Sequence, residues 1–425
     1  MSDDTDDSTD TWRYAGRRTL AGALQRGLGR GALRAMADPA APDLITHCLR
    51  RDHRWDWQVD DRAVYLARLV RDLEMPVEPI ADRLFTAPAE QSDHDNEFEN
   101  TLEVLEALGR AGAGDAVDGV RRYIREGDRW LDVLEKVAAS WPCERWEDLY
   151  PSVAARLASA ADQAWWRSPP WTTWAARDAW IAARVATARR PVSPRPFADQ
   201  PTTTLLARLR DPAHARDHDP VLRELRRRPP EPALLELVDD LLAGGPRAAL
   251  SAAIRRLGPA ALPAARDWAA TPEHPLTWTA LRILAAHGDD TDAAALIAGL
   301  DWLDGRPDDL CGYDVLVEGL ARIGGPAAVD VLPRLGRLWF SPHSFERSDY
   351  LRAWVALDPA GASRFLVEGL WDCEAGVRLL AARHAPLTDT TRERLCHLRD
   401  DPIETAEVRA AALTRLAGAT ATARP

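Results

Sequence analysis

The sequence predicts an all-α fold, an α-solenoid of antiparallel helix pairs, on three observations. Apolar residues recur at helical spacing: Leu316, Leu320 and Ile323 fall at i, i+4 and i+7, and Val329, Leu332 and Leu335 recur every three residues. These two stripes meet at Gly324-Gly325-Pro326, where glycine can end one helix in the left-handed conformation and proline suits the first turn of the next. Similar junctions recur, with helix ends near Gly244-Gly245, Gly258, Gly288, Gly325, Pro359 and Pro386, from Gly258 onward in steps of roughly 27 to 37 residues, about the range of two-helix repeats. One hairpin cannot cover its own stripes, so its neighbours must stack on it.

Length and charge narrow the classes. The chain has 425 residues, 46% of them hydrophobic, enough for a large core, and a formal net charge of −12. Nearly all the positive charge is arginine, Lys136 being the single lysine. An acidic balance disfavours a general nucleic-acid binder, although a local basic groove is compatible with it. Five scattered cysteines without C-x-x-C spacing suit reduced thiols and a cytoplasmic location. No apolar run approaches the ~18 residues of a membrane span, and the acidic N-terminus is unlike a secretory signal.

Residues 1–37 read as a disordered acidic tail, with five aspartates in the first eleven positions, followed by a basic lead-in. The lead-in carries Arg13, Arg17, Arg18, Arg26, Arg30 and Arg34 spaced by Leu20, Leu24, Leu28 and Leu33. It is either a basic amphipathic helix for an acidic partner or, given its five glycines, a loosely docked helix, and the second reading is preferred. Residues 38–190 form an irregular helical array, starting with helices at 43–50, 60–73 and 77–85. The loop Arg51-Asp52-His53-Arg54-Trp55-Asp56-Trp57 is dense in polar and aromatic residues, and loops are where scaffolds carry function. It is the first candidate partner-binding site; alternatively its tryptophans plug a helical layer.

The acidic loop from Asp93 to Glu99 invites a calcium reading. That loop type needs glycine at position six and glutamate at position twelve, where Phe98 and Val104 stand, so the acids more plausibly begin a helix over 98–108. A second candidate is the cluster Trp165, Trp166, Trp171 and Trp174, with Trp180 beyond it. Exposed, it is a hot-spot patch for a peptide; buried, it is the core of a junction, which the helical spacing favours. Prolines then mark a linker over 191–201, and a C-terminal repeat array fills 202–425.

Three stretches of that array carry a resemblance: Glu407-Val408-Arg409-Ala410-Ala411-Ala412-Leu413, Gly376-Val377-Arg378-Leu379-Leu380-Ala381-Ala382, and Leu320 through Val329. They resemble HEAT repeats, in particular the short bacterial kind called PBS-lyase HEAT-like repeats, whose pattern is V-R-x-x-A-A-x-x-L-x-x-[IL]-G-x-x-x-A-V. The resemblance implies a right-handed curved superhelix with inner helices lining a groove. It says little about activity, because such proteins include scaffolds, adaptors, phycobilin lyase subunits and DNA-repair glycosylases.

No catalytic constellation is present: H-E-x-x-H, G-x-S-x-G, Walker and dinucleotide glycine patterns are all missing. His47, Cys48 and His53 lack the fourth ligand and the spacing of a metal site, so neither metal nor cofactor is expected. Cys373 and Cys396 read as buried thiols. The expectation is a non-catalytic interaction scaffold with a protein or peptide partner. The alternatives are an alkyl-purine glycosylase using the basic stretch Arg223, Arg226, Arg227, Arg228, Arg247, Arg255 and Arg256 with Trp268 and Asp267, or a chromophore lyase subunit. A basic groove with an exposed tryptophan would favour nucleic acid, and an acidic or apolar one a protein.

Overall fold

The computed structural model of the chain describes residues 14–87, 96–160, 164–188, 195–244, 247–306 and 310–422. The acidic tail, Asp93-His94-Asp95 and the start of the proline linker lie outside the described residues. Among the described residues α-helices and short 3-10 turns follow one another, with no strand. No described helix is long and apolar enough to cross a membrane.

The chain divides into two compact units, one comprising residues 1–190, 340–348 and 363–425, the other 191–339 and 349–362. The array expected over 202–425 is therefore shared between them. In the first unit, the Ala63–Asp72 helix packs on Glu97–Arg110, which packs on Gly114–Glu126, and Glu78–Thr86 lies against the last two. Each turns one apolar stripe inward: Leu66, Leu69 and Val70, then Leu102, Leu105 and Leu108, then Val120 and Ile124 are all buried. The terminal segment adds Ala375–His384, Asp389–Asp400 and Ala406–Thr422, the middle helix started by a Thr388/Thr391 capping box.

The basic lead-in is not loosely docked. It forms two short helices, Leu20–Gln25 and Gly29–Ala35, with Leu20, Leu24 and Leu28 buried. A Cβ at Gly29 would collide with the Glu368 carbonyl oxygen, so the glycines that weaken a free helix here permit close backbone approach. Three of its arginines are engaged locally: Arg30 pairs with Glu368, Arg26 donates to the Phe340 carbonyl at 3.1 Å, and Arg17 lies over the Phe340 ring.

In the second unit, His218–Leu225, Arg247–Arg255, Thr277–His287 and Tyr313–Ile323 form a row, each packing on the next. Leu262–Ala270 and Ala293–Asp304 pack against members of that row. Leu281, Leu284, Leu296, Leu300, Leu316 and Leu320 fill the space between. The turn at Gly324-Gly325 has positive φ at both glycines, 69° and 76°. The single second helix expected from Val329, Leu332 and Leu335 is instead two, Gly325–Val329 and Leu332–Leu338, because Pro333 opens a new first turn; Val329 is consequently exposed.

Candidate functional site

The first predicted loop points largely inward. His53 is buried, and burial pushes its imidazole down to about 4. The Tyr14 hydroxyl donates to the His53 carbonyl at 3.1 Å. Arg54 is clamped by Asp52 at 2.6 Å and Glu103 at 2.8 Å, and Glu103 also takes Lys136 at 2.9 Å. The Asp56 N–H donates to Asp60. Arg51 and Trp55 are half-buried, and Trp57, 60% exposed, is the side chain of this loop most open to solvent.

The tryptophan cluster divides. Trp171 and Trp174 are fully buried, and the Trp171 indole donates to Glu135 at 2.5 Å. Trp166 is half-buried with its ring edge-on to Trp180, while Trp165 is 74% and Trp180 42% exposed. Neither the wholly exposed nor the wholly buried reading describes it: Trp171 and Trp174 share a helical turn facing the core, and Trp165 precedes that turn.

The first unit also holds a polar network that the sequence did not announce. Asp60 accepts from His343 Nδ1 at 2.9 Å, from the Ser344 hydroxyl at 3.1 Å and from the Phe345 N–H at 2.9 Å. Burial alone would raise its carboxyl, but the His343 hydrogen bond and the Arg62 charge outweigh that and hold it below the usual range. Arg62 donates to Ser344 at 2.6 Å and to the Cys373 thiol at 3.0 Å, and Arg347 reaches the same sulfur at 3.1 Å while pairing with Asp372. Arg378 pairs with Glu404, and Arg68 bridges Glu404 and Asp401. Burial pushes the Cys373 thiol well up, against the opposing pull of the Arg62 and Arg347 guanidiniums. Apart from Phe345, these partners are buried, so the network is a clamp that satisfies charge inside the fold.

An open site lies in the second unit. A groove of about 660 Å³ is lined by Arg255, Arg282, His287, Arg322 and Arg352 over a floor that includes Ala285, Ala286, Ala353 and Ala356. Its carboxylate, Glu318, is bound by Arg352 at 2.5 Å. Arg322 is spent on the carbonyls of Ala285 and Gly288 at the end of its neighbouring helix. Arg255 and Arg282 have no carboxylate partner among the described residues; burial and then the neighbouring Arg282 and Arg226 lower the Arg255 guanidinium. No tryptophan lines the groove.

Of the basic stretch noted in sequence, Arg255 lines this groove. Arg223 pairs with Asp219, and Arg228 is consumed by Glu224 and the carbonyls of Phe197, Ala198 and Gln200. Trp268 stacks on His274. Arg282, His287 and Arg352 were not singled out in sequence; the available signal was an arginine recurring on successive helices of one row. Among the described residues no group of three or more His, Cys, Asp or Glu is placed to hold a metal ion. Against family models, curated proteins and solved structures alike, the chain finds no match.

Proposed function

We propose that this protein is a cytoplasmic, non-catalytic interaction scaffold, and that the groove of its second unit takes an acidic segment of a protein partner. The observation that carries the reading is the convergence of Arg255 and Arg282, both without carboxylate partners among the described residues, over an alanine floor. Cations held without counter-charge at the mouth of an apolar groove favour an anionic occupant, and the methyl floor suits the aliphatic body of a peptide. The row of helices, with Leu262–Ala270 and Ala293–Asp304 packed against its members, supports a HEAT-like superhelix in this unit. A nucleic acid would find neither a tryptophan to stack on in this groove nor a long basic track, and would meet a net charge of −12.

Fluorescence anisotropy tests this with a labelled ten-residue Glu/Ala peptide, its Gln/Ala counterpart and a DNA duplex. The acidic peptide should bind, and the double variant Arg255→Glu, Arg282→Glu should weaken it at least tenfold, roughly 1.4 kcal/mol or more, with unchanged circular dichroism. Tighter binding of the duplex at physiological salt, or no loss in the double variant, would sink the reading.

A further inference from the structure

The first unit holds a second cavity, of about 540 Å³, unrelated to the groove. Its charge pattern is unusual. Arg394 lines it with the residue 8% exposed, yet makes no ion pair among the described residues. Its Nε donates to the Leu370 carbonyl at 3.1 Å, and the guanidinium lies 5.1 Å from the centre of the Trp371 ring. No partner accepts from its two terminal nitrogens among the described residues, and neither is sealed from the cavity.

The nearby acids are already engaged. Asp401 is held by Arg68 at 2.7 Å and Arg71 at 2.8 Å, and Asp72 by Arg71. Burial, followed by the repulsion of Arg68, lowers the Arg394 guanidinium to about 9, which is the cost of a buried cation without a counter-ion. Such a site is completed by an anion from outside.

The rest of the lining restricts that anion. Tyr65, Leu69, Met36 and Trp371 give the cavity an apolar wall, and at its exposed rim Glu393 makes no ion pair among the described residues while Asp400 is paired with Arg399 at 2.5 Å. The Glu393 carboxylate at the rim repels a dianion such as phosphate but attracts an ammonium group. We propose that this cavity binds a small zwitterionic carboxylate of the size and character of an apolar amino acid. The carboxylate pairs with Arg394, the side chain lies on the Trp371 and Tyr65 wall, and the ammonium faces Glu393.

Isothermal titration of the full chain tests the site with L-phenylalanine, L-leucine, N-acetyl-L-phenylalanine, phenethylamine and inorganic phosphate. At least one free amino acid should bind in the micromolar to low millimolar range. The acetylated form should bind at least fivefold more weakly, phenethylamine and phosphate not at all. Arg394→Gln should abolish binding. Glu393→Gln, at an exposed position, should leave the melting temperature unchanged and remove the preference for the free amino group, so the proposal stays testable if the arginine variant fails to fold. Absence of amino-acid binding, equal binding of phenethylamine, binding of phosphate alone, or unaltered selectivity in Glu393→Gln would each overturn it.

Discussion

Glu374 is a carboxylate buried among other acids of the first unit. It accepts from the Asp61 N–H at 3.0 Å and from the Ser344 hydroxyl, inside a region that also holds Asp60 and Asp372. Burial, and then the neighbouring Asp61, push its carboxyl up to about 7. The folded state thus holds this proton more tightly than the unfolded chain, whose value is near 4.5. Its contribution to stability is present below the unfolded value and is lost as pH rises through about 7.

Glu374→Gln keeps an acceptor for both donors and never ionises, so at pH 8 it should melt a few degrees above the native chain, roughly 2–3 kcal/mol more stable. At pH 5 the difference should largely vanish, and thermal melts at the two pH values decide it. Asp401 and Glu404 work in the opposite direction. Burial is outweighed by Arg68 and Arg71 for one and by Arg378 and Arg68 for the other, holding both at about 2. Their stabilisation is complete above the ordinary carboxylate range and disappears only as pH falls toward 2.

Helix junctions are where local chemistry sets the fold most directly. At Gly324-Gly325 the positive φ values of both residues answer to the backbone alone, because a Cβ at either would meet nothing within 4 Å. Gly325→Val therefore tests conformation without a packing clash. It should destabilise by roughly 1–3 kcal/mol, the cost of a β-branched residue in that region, and an unchanged denaturation midpoint would show that the turn adjusts freely.

The contrast with Gly29 is instructive. Glycine there serves close approach to Glu368, so the same residue type that marks a turn in one place marks packing in another. Composition made the lead-in look weakly helical because propensity describes an isolated helix, whereas Leu20, Leu24 and Leu28 are buried in a core that supplies the missing stability.

At the scale of the whole chain, residues 363–425 belong with the N-terminal helices, which gives truncation a distinctive outcome. Ending the chain at residue 362 would leave Arg68 without Asp401 and Glu404, and Arg62 without the Cys373 sulfur. A buried guanidinium stripped of its partners costs about 3–5 kcal/mol, so the N-terminal unit should lose its cooperative transition. Trimming a linear repeat array would instead spare it. Hydrogen exchange over the Ala63–Asp72 and Glu97–Arg110 helices reads the difference: native protection in the truncated chain would refute the clamp.

Helix positions were legible because periodicity is local. The stripe at Leu316, Leu320 and Ile323, the glycine turn after it, and the helix over 98–108 could be placed within a few residues from spacing alone. The Trp171–Trp174 turn was legible for the same reason, while the exposure of Trp165 was not, since it sits outside any stripe. What the tertiary structure alone decided is which distant segments share charge. Asp60 meets His343, Arg68 meets Glu404, and Arg255 and Arg282 line one groove. A helical stripe repeats every few residues and writes itself into the sequence, but an ion pair or a binding groove needs only two or three polar residues brought together once. Their spacing carries no period, and their meaning depends on the burial that the folded chain imposes on them.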